Sequence, residues 1–250
     1  MLDQLIARQR WQNICLTLLT ISILLLLSLP ADAQFQAERA IAPIESLLET
    51  THYKLSVHKD GQSAACDVVL FGYQNRRPGR WNAVIDTLLQ ISPHRRHTII
   101  GHKTNHMFHA ESFWPDLLKD QEIHVELRPL SEGLRTDILG IHFQGNGEKI
   151  HPKSIPVAKE LLTWLKANPT VRLRIIGHAN GADGRRSRSF YRKISKRRAE
   201  SLINWLVQRG LDQKRFEAHG RGADALRFHD PVHAWQHQAN RRVEIEVLFH

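Results

Sequence analysis

The apolar positions change period several times along this chain, and each change marks a predicted element. From Ile14 to Leu29 they run almost unbroken. Over 35–50, Ile41, Ile44, Leu47 and Leu48 recur at helical spacing. Tyr53, Leu55 and Val57 alternate as in a half-buried strand, and Asp60-Gly61 predicts a turn. Residues 66–72, CDVVLFG, read as a more deeply buried strand. Trp81, Val84, Ile85, Leu88 and Leu89 follow the i, i+3, i+4, i+7, i+8 rule and predict a helix that Pro93 closes. With strands at 66–72 and 97–102, that helix implies a parallel crossover unit. A further strand, 122–128, alternates Ile123, Val125 and Leu127.

Pro129 to Gly133 is the predicted domain boundary, separating an accessory α/β domain, 35–130, from a second domain, 134–250. In the second, Ile138, Ile141 and Phe143 predict a strand. Ser154 is the expected cap of a helix carrying Val157, Ala158, Leu161, Leu162 and Leu165, which Asn168-Pro169 ends. Val171, Leu173 and Ile175 alternate in the next strand. Ser195 is the expected cap of a helix with Ala199, Leu202, Ile203 and Leu206 inward, stopped by Gly210. Strands at 215–219 and 242–249 complete the order β-α-β-α-β-β, an α/β arrangement of a mixed sheet backed by two helices. Residues 87–102 also align without a gap on 163–178, sharing Thr, Leu, Pro, Arg, Ile, Ile, Gly and His. Either the N-terminal half is a degenerate copy of the same unit, or helix–proline–strand junctions converge on these residue types.

Composition narrows the setting. With 250 residues and 42% hydrophobic content, the chain can bury a sizeable core. Arg8 and Arg10 precede the apolar run, and Ala31-Asp32-Ala33 follows it, which is the pattern of a cleaved secretory signal over 1–33. The alternative is a short membrane anchor, although a spanning helix needs ~20 apolar residues. Residues 1–33 hold two basic and two acidic residues, so the remainder keeps the formal charge of +10. An exported basic protein meets murein, lipopolysaccharide and acidic headgroups rather than nucleic acid. Cys15 lies in the signal, which leaves Cys66 without an internal disulfide partner.

Four blocks in the second domain carry the chemistry. They are Gly177-His178-Ala179-Asn180, Ile194-Ser195-Lys196-Arg197-Arg198-Ala199, Gly210-Leu211 to Arg215 with Gly220-Arg221-Gly222, and Asn240-Arg241-Arg242-Val243-Glu244-Ile245. Over roughly 136–248 this resembles the C-terminal domain shared by outer-membrane protein A, flagellar motor protein B and peptidoglycan-associated lipoprotein. The resemblance implies a periplasmic, non-enzymatic domain that grips the peptidoglycan stem peptide. A stem peptide with meso-diaminopimelate presents a carboxylate and an ammonium. In the family an arginine in a Leu-Ser-x-x-Arg-Ala helix start takes the first, and a Gly-His-Thr-Asp turn supplies the acid for the second. Arg198 matches that arginine. Asn180 occupies the acidic slot when the turn is aligned, and Asp183 occupies it when spacing is counted back from Arg198. Tyr191 stands where the family has asparagine, Ser195 opens the expected helix whose free amides would complete the cradle, and Arg242 either lines the cleft or braces the loops.

Eight cations fall within 185–198 without an acid, forming either a solvated face or an anion-attracting rim. The 16 histidines include a cluster from His94 to His109 and the i, i+4 pair His233 and His237. They complete no recognised metal motif, so no metal and no cofactor is expected. Gly-x-Ser-x-Gly, Walker and zinc-hydrolase motifs are absent, which argues against an enzyme. Trp164 and Trp205 are core candidates, whereas Trp114 and Trp235 are loop aromatics with packing or sugar-stacking roles open. The expected partner is peptidoglycan, with a second envelope protein through 35–130 and membrane association through the N-terminal segment as further expectations. The rival reading is an envelope interaction domain that has lost its wall ligand.

Overall fold

Strands organise the first half of the chain in the computed structural model, which describes residues 50–72, 78–145, 147–181 and 186–249. The expected helix over 35–50 and the segment 1–33 lie outside the described residues, as does Asp183. The strands are β1 (Thr51–Lys59), β2 (Gln62–Ser63), β3 (Cys66–Phe71), β4 (Gly79–Val84), β5 (Asp86–Ile91), β6 (His97–His102), β7 (His109–Phe113) and β8 (Glu122–Glu126). In one sheet β1 pairs antiparallel with β2 and β5 and parallel with β8. In the next the order is β4-β3-β6-β7, antiparallel throughout.

The helix expected from Trp81 to Leu89 is instead the strand pair β4 and β5. Trp81, Ile85 and Leu89 are spaced by four, twice the strand period and close to one helical turn, so they cannot discriminate. Leu88 decides it: inward in the helical reading, it is 68% exposed, while Leu89 and Ile91 are buried. The expected parallel crossover falls with that helix, since β3 and β6 are antiparallel neighbours. The alignment of 87–102 with 163–178 therefore superposes a strand on a helix, and the described residues form no second copy.

The second sheet is covered on both faces, which explains its unbroken apolar runs. Val68, Leu70 and Ile99 join Leu55, Val57 and Val125 in one core. Val69 and Ile100, with Met107 and Phe108, join a second core that includes Leu161, Trp164 and Leu165. Those three lie on α1 (Ile155–Ala167), which follows the short strand β9 (Arg135–Asp137). The two halves thus share hydrophobic interior, and Thr51–His250 form one compact unit. Polar contacts reinforce the junction. Trp164 Nε1 donates to His106 O at 2.8 Å. The buried carboxylate of Glu160 on α1 takes a bidentate contact from Arg80 of β4. The stretch 129–133 is tied on both sides: Leu130 N donates to Asn105 O at 3.1 Å and Gly133 N to Val247 O at 2.8 Å.

The remaining elements are β10 (Arg172–His178), α2 (Arg188–Val207), β11 (Phe216–Gly222), α3 (Ala234–Asn240) and β12 (Val243–Phe249). Their sheet has the order β11-β10-β12-β9, with β10 and β11 parallel and the other pairs antiparallel. The expected strand order holds, but β9 lies at 135–137, ahead of the apolar residues at 138–143. Ile138 and Ile141 are buried in the core under α1 rather than in a ladder. Helix α2 rests on the sheet almost backbone to backbone. A Cβ on Gly177 would lie 2.0 Å from Ser195 O, and one on Gly220 would lie 2.3 Å from Arg192 O. Both glycines are therefore required by close approach.

Candidate functional site

Helix α2 is capped eight residues before the expected position. Ser187 accepts from Phe190 N at 3.2 Å and starts the helix at Arg188. Arg198 thus lies about 15 Å along the helix rather than at its entrance. Amides at that depth are spent on intrahelical bonds, so neither free N–H groups nor the helix dipole assists Arg198. Ser195 is fully buried and structural: its Oγ donates to Arg192 O at 3.0 Å and accepts from Gly222 N at 2.9 Å. It pins α2 to the end of β11.

The Arg198 guanidinium is nevertheless aimed into a hollow of about 380 Å³, whose wall includes His142, Phe143, His151, Gln238 and Arg241. Arg198 is 5% exposed. Its Nε donates to Gly147 O at 3.0 Å, and its terminal carbon sits 5.4 Å from the Phe143 ring centroid. Among the described residues no acid lines the hollow and no carboxylate pairs with Arg198. Burial pushes its pKa down to about 10, and the neighbouring Arg241 adds to the shift. At neutral pH it stays protonated, leaving a buried charge with one neutral acceptor. Such a charge is costly unless a counter-ion arrives. Exposed His142, held below the ordinary histidine range by desolvation and then by Arg96, His151 and Arg241, leaves the field positive as well.

The loop that forms this wall is fixed by Ser154. Rather than capping α1 through its side chain, Ser154 accepts from His142 N at 2.8 Å. Arg241 ends α3 beside Gln238, while Arg242, next in sequence, turns elsewhere. Arg242 contacts Glu244 Oε1 through Nε and Nη2 at 2.9 and 2.7 Å and donates to Ala225 O at 3.1 Å. Asp137 lies 3.5 Å from it and also pairs with Arg227. Arg242 therefore braces loops, and Arg241 is the residue that reaches the hollow. Alternation in an extended chain sends neighbours to opposite sides, which was the available sequence signal for this division. The buried His178 places Nε2 3.1 Å from Glu244, without the alignment of a good hydrogen bond. Burial raises the Glu244 pKa, but His178 and Arg242 outweigh it and bring it down to about 2.

Asn180 sits in a neutral amide network beside the same helix. Its Nδ2 is 2.9 Å from His237 Nδ1, and its Oδ1 accepts from Asn240 Nδ2 at 3.0 Å. Asn240 in turn accepts from Arg227 N and Phe228 N. Asn180 is therefore satisfied within the protein and does not line the Arg198 hollow. Tyr191 is also absent from it. Its buried ring lies where a Cβ on Gly181 would come within 2.9 Å, and it meets Phe190 edge-on. The basic run disperses around α2 rather than forming one rim. Arg188 and Arg192 clamp Asp224, Arg197 faces Glu148 at 3.8 Å, and Arg198 alone turns into the hollow. Among the described residues no cluster of three or more metal-ligating side chains occurs, and no helix is long and apolar enough to cross a membrane.

Residues 142–241 match the OmpA family model. That span contains every side chain that lines the Arg198 hollow. No curated protein matches the chain. Solved structures similar to it include the periplasmic domain of Helicobacter pylori MotB, residues 78–256, at 12% identity, covering 61% of this chain and 82% of that one with a TM-score of 0.40. The peptidoglycan-associated lipoprotein from Burkholderia pseudomallei is 16% identical, with coverage of 44% and 86% and a TM-score of 0.35. The cell wall anchor of the type VI secretion system from Pseudomonas aeruginosa is 21% identical, with coverage of 46% and 80% and a TM-score of 0.37.

Proposed function

We propose that the OmpA-like part of this chain, residues 142–241, binds the diaminopimelate-type stem peptide of peptidoglycan without cleaving it and so tethers the protein to the wall in the periplasm. The observation that carries this reading is the buried guanidinium of Arg198, which faces a hollow and meets no acid among the described residues. A carboxylate entering there would make charge-assisted, bidentate bonds in a partly desolvated site. Arg241 adds attraction from the opposite wall. The ligand ammonium would be received at the Asn180 network or by Asp183. The family match supports a wall-associated envelope role, and the specific ligand is our extension of it. The division into an accessory part, 35–130, and a wall-binding part, 134–250, belongs to the same proposal, as does an N-terminal signal or anchor in 1–33.

The test is co-sedimentation of the full chain with purified sacculi, with and without meso-diaminopimelate as competitor. Binding that the competitor releases, and that Arg198→Met abolishes, is expected. Retained binding by a folded Arg198→Met protein would remove that residue from the site. Chromatography of the same supernatants should show no released muropeptide, and release would make the protein a hydrolase. The full chain is needed, because residues 51–130 share a hydrophobic core with the wall-binding part.

One observation favours a second reading, an envelope interaction domain without a wall ligand. Asn180 is neutral, and both ends of its amide are satisfied inside the protein. Full-chain protein that ignores sacculi but retains a stable envelope partner would establish it.

A further inference from the structure

A second hollow of about 600 Å³ adjoins the first and shares His142, Gln238 and Arg241 with it, so the two form one groove. Its floor and lip are apolar: Phe228 and Leu139 come from the C-terminal half, Trp114 and Leu117 from the N-terminal half. Trp114 is 45% and Leu117 78% exposed, and the two share the lining of one hollow.

Four guanidiniums reach this hollow, and they divide by partner. Arg227 pairs with Asp137, and Arg242 with Glu244 and Asp137. Arg96 and Arg241 have no partner among the described residues, and no acid lines the hollow. Arg96 is close enough to His142 to hold down its pKa, as Arg241 does. The groove therefore carries uncompensated positive charge at Arg198, at Arg241 and at Arg96, with apolar surface beside the last. Arg96, Trp114 and Leu117 lie outside the 142–241 match, so the family span does not account for them.

We infer that this second hollow receives the continuation of the bound peptide, with Arg96 taking a second carboxylate and Trp114 and Leu117 covering small apolar side groups next to it. The inference rests on the ligand reading above. A stem peptide has the matching chemistry: the residues preceding diaminopimelate are a γ-linked glutamate, with a free α-carboxylate, and an alanine. The N-terminal half thereby contributes to wall recognition directly. It makes the site selective for a peptide over the free amino acid.

The test compares calorimetric affinities of the full chain for meso-diaminopimelate and for L-alanyl-γ-D-glutamyl-meso-diaminopimelate at physiological salt. The tripeptide should bind about tenfold tighter than the free amino acid, the effect of one added charge-assisted contact. Arg96→Glu should abolish that advantage and Arg96→Lys should preserve most of it, the advantage being read within each protein as the ratio of its tripeptide affinity to its affinity for free diaminopimelate. Equal affinities in the unaltered chain, or a tripeptide advantage that survives Arg96→Glu, would overturn the inference while leaving the Arg198 site standing. Absence of any diaminopimelate binding would instead sink the ligand reading, and this extension with it.

Discussion

Arg198 and Arg242 both have side chains largely withdrawn from solvent, yet their surroundings are opposite. Arg242, with its side chain 9% exposed, is closed in by Glu244, Asp137 and the Ala225 carbonyl. Arg198, 5% exposed, has one neutral acceptor and a hollow in front of it. The first is an internal cross-link, whose charge is matched when the chain folds. The second is matched only when something else binds. Residue type and burial are therefore uninformative about role here, and partner inventory decides it.

The largest expected effect comes from breaking the matched side. Arg242→Met leaves Asp137 and Glu244 short of their counter-ion and should destabilise the fold by about 3–5 kcal/mol in denaturant titrations. The protein that remains folded should still sediment with sacculi, and normal stability would mean the cluster is not an internal cross-link. Acid titration probes the same cluster from the other partner. Glu244 has its pKa lowered from 4.5 to about 2, so its contribution is fully present above pH 4.5 and is lost as pH falls toward 2. That contribution is up to about 3 kcal/mol. Glu244→Gln should flatten the fall in melting temperature across that window, and an unchanged slope would show that another group governs it.

Breaking the unmatched side should do the reverse. Arg198→Met is expected to cost about 100-fold in affinity for wall peptide, equivalent to two charged hydrogen bonds. Its melting temperature should hold or rise, because an uncompensated buried charge is removed. A mutant as unstable as Arg242→Met would erase the contrast between the two arginines. The smallest effect is a matter of pH. His142 has its pKa lowered by desolvation and then by the neighbouring Arg96, His151 and Arg241, and protonation on acidification adds positive charge to the hollow. Carboxylate binding should tighten about two- to threefold as pH falls below the ordinary histidine range, and His142→Gln should weaken that dependence.

The β-α-β-α-β-β order was legible because α1 and α2 bury one stripe each and β10 and β12 lie in the core, so period and burial agree. Arg198 was legible through its motif. The stretch 81–89 was misread because a spacing of four satisfies a helix and a strand alike. The start of α2 was misread because Ser187 and Ser195 are equally good caps by type. Only the contact of Gly177 with the backbone at Ser195 shows that the helix is already under way there.

Sequence by itself thus determined the element order of the C-terminal half, its basic balance and the arginine in the family position, since each depends on local period or composition. Tertiary structure alone decided that Arg198 meets no acid among the described residues while Arg242 meets two, that Arg241 rather than Arg242 lines the Arg198 hollow, and that Arg96 and Trp114 join the groove from the other half. The reason is physical. Electrostatic compensation depends on distances across the fold between residues as far apart as Arg96 and Arg241, and no local pattern along the chain carries those distances.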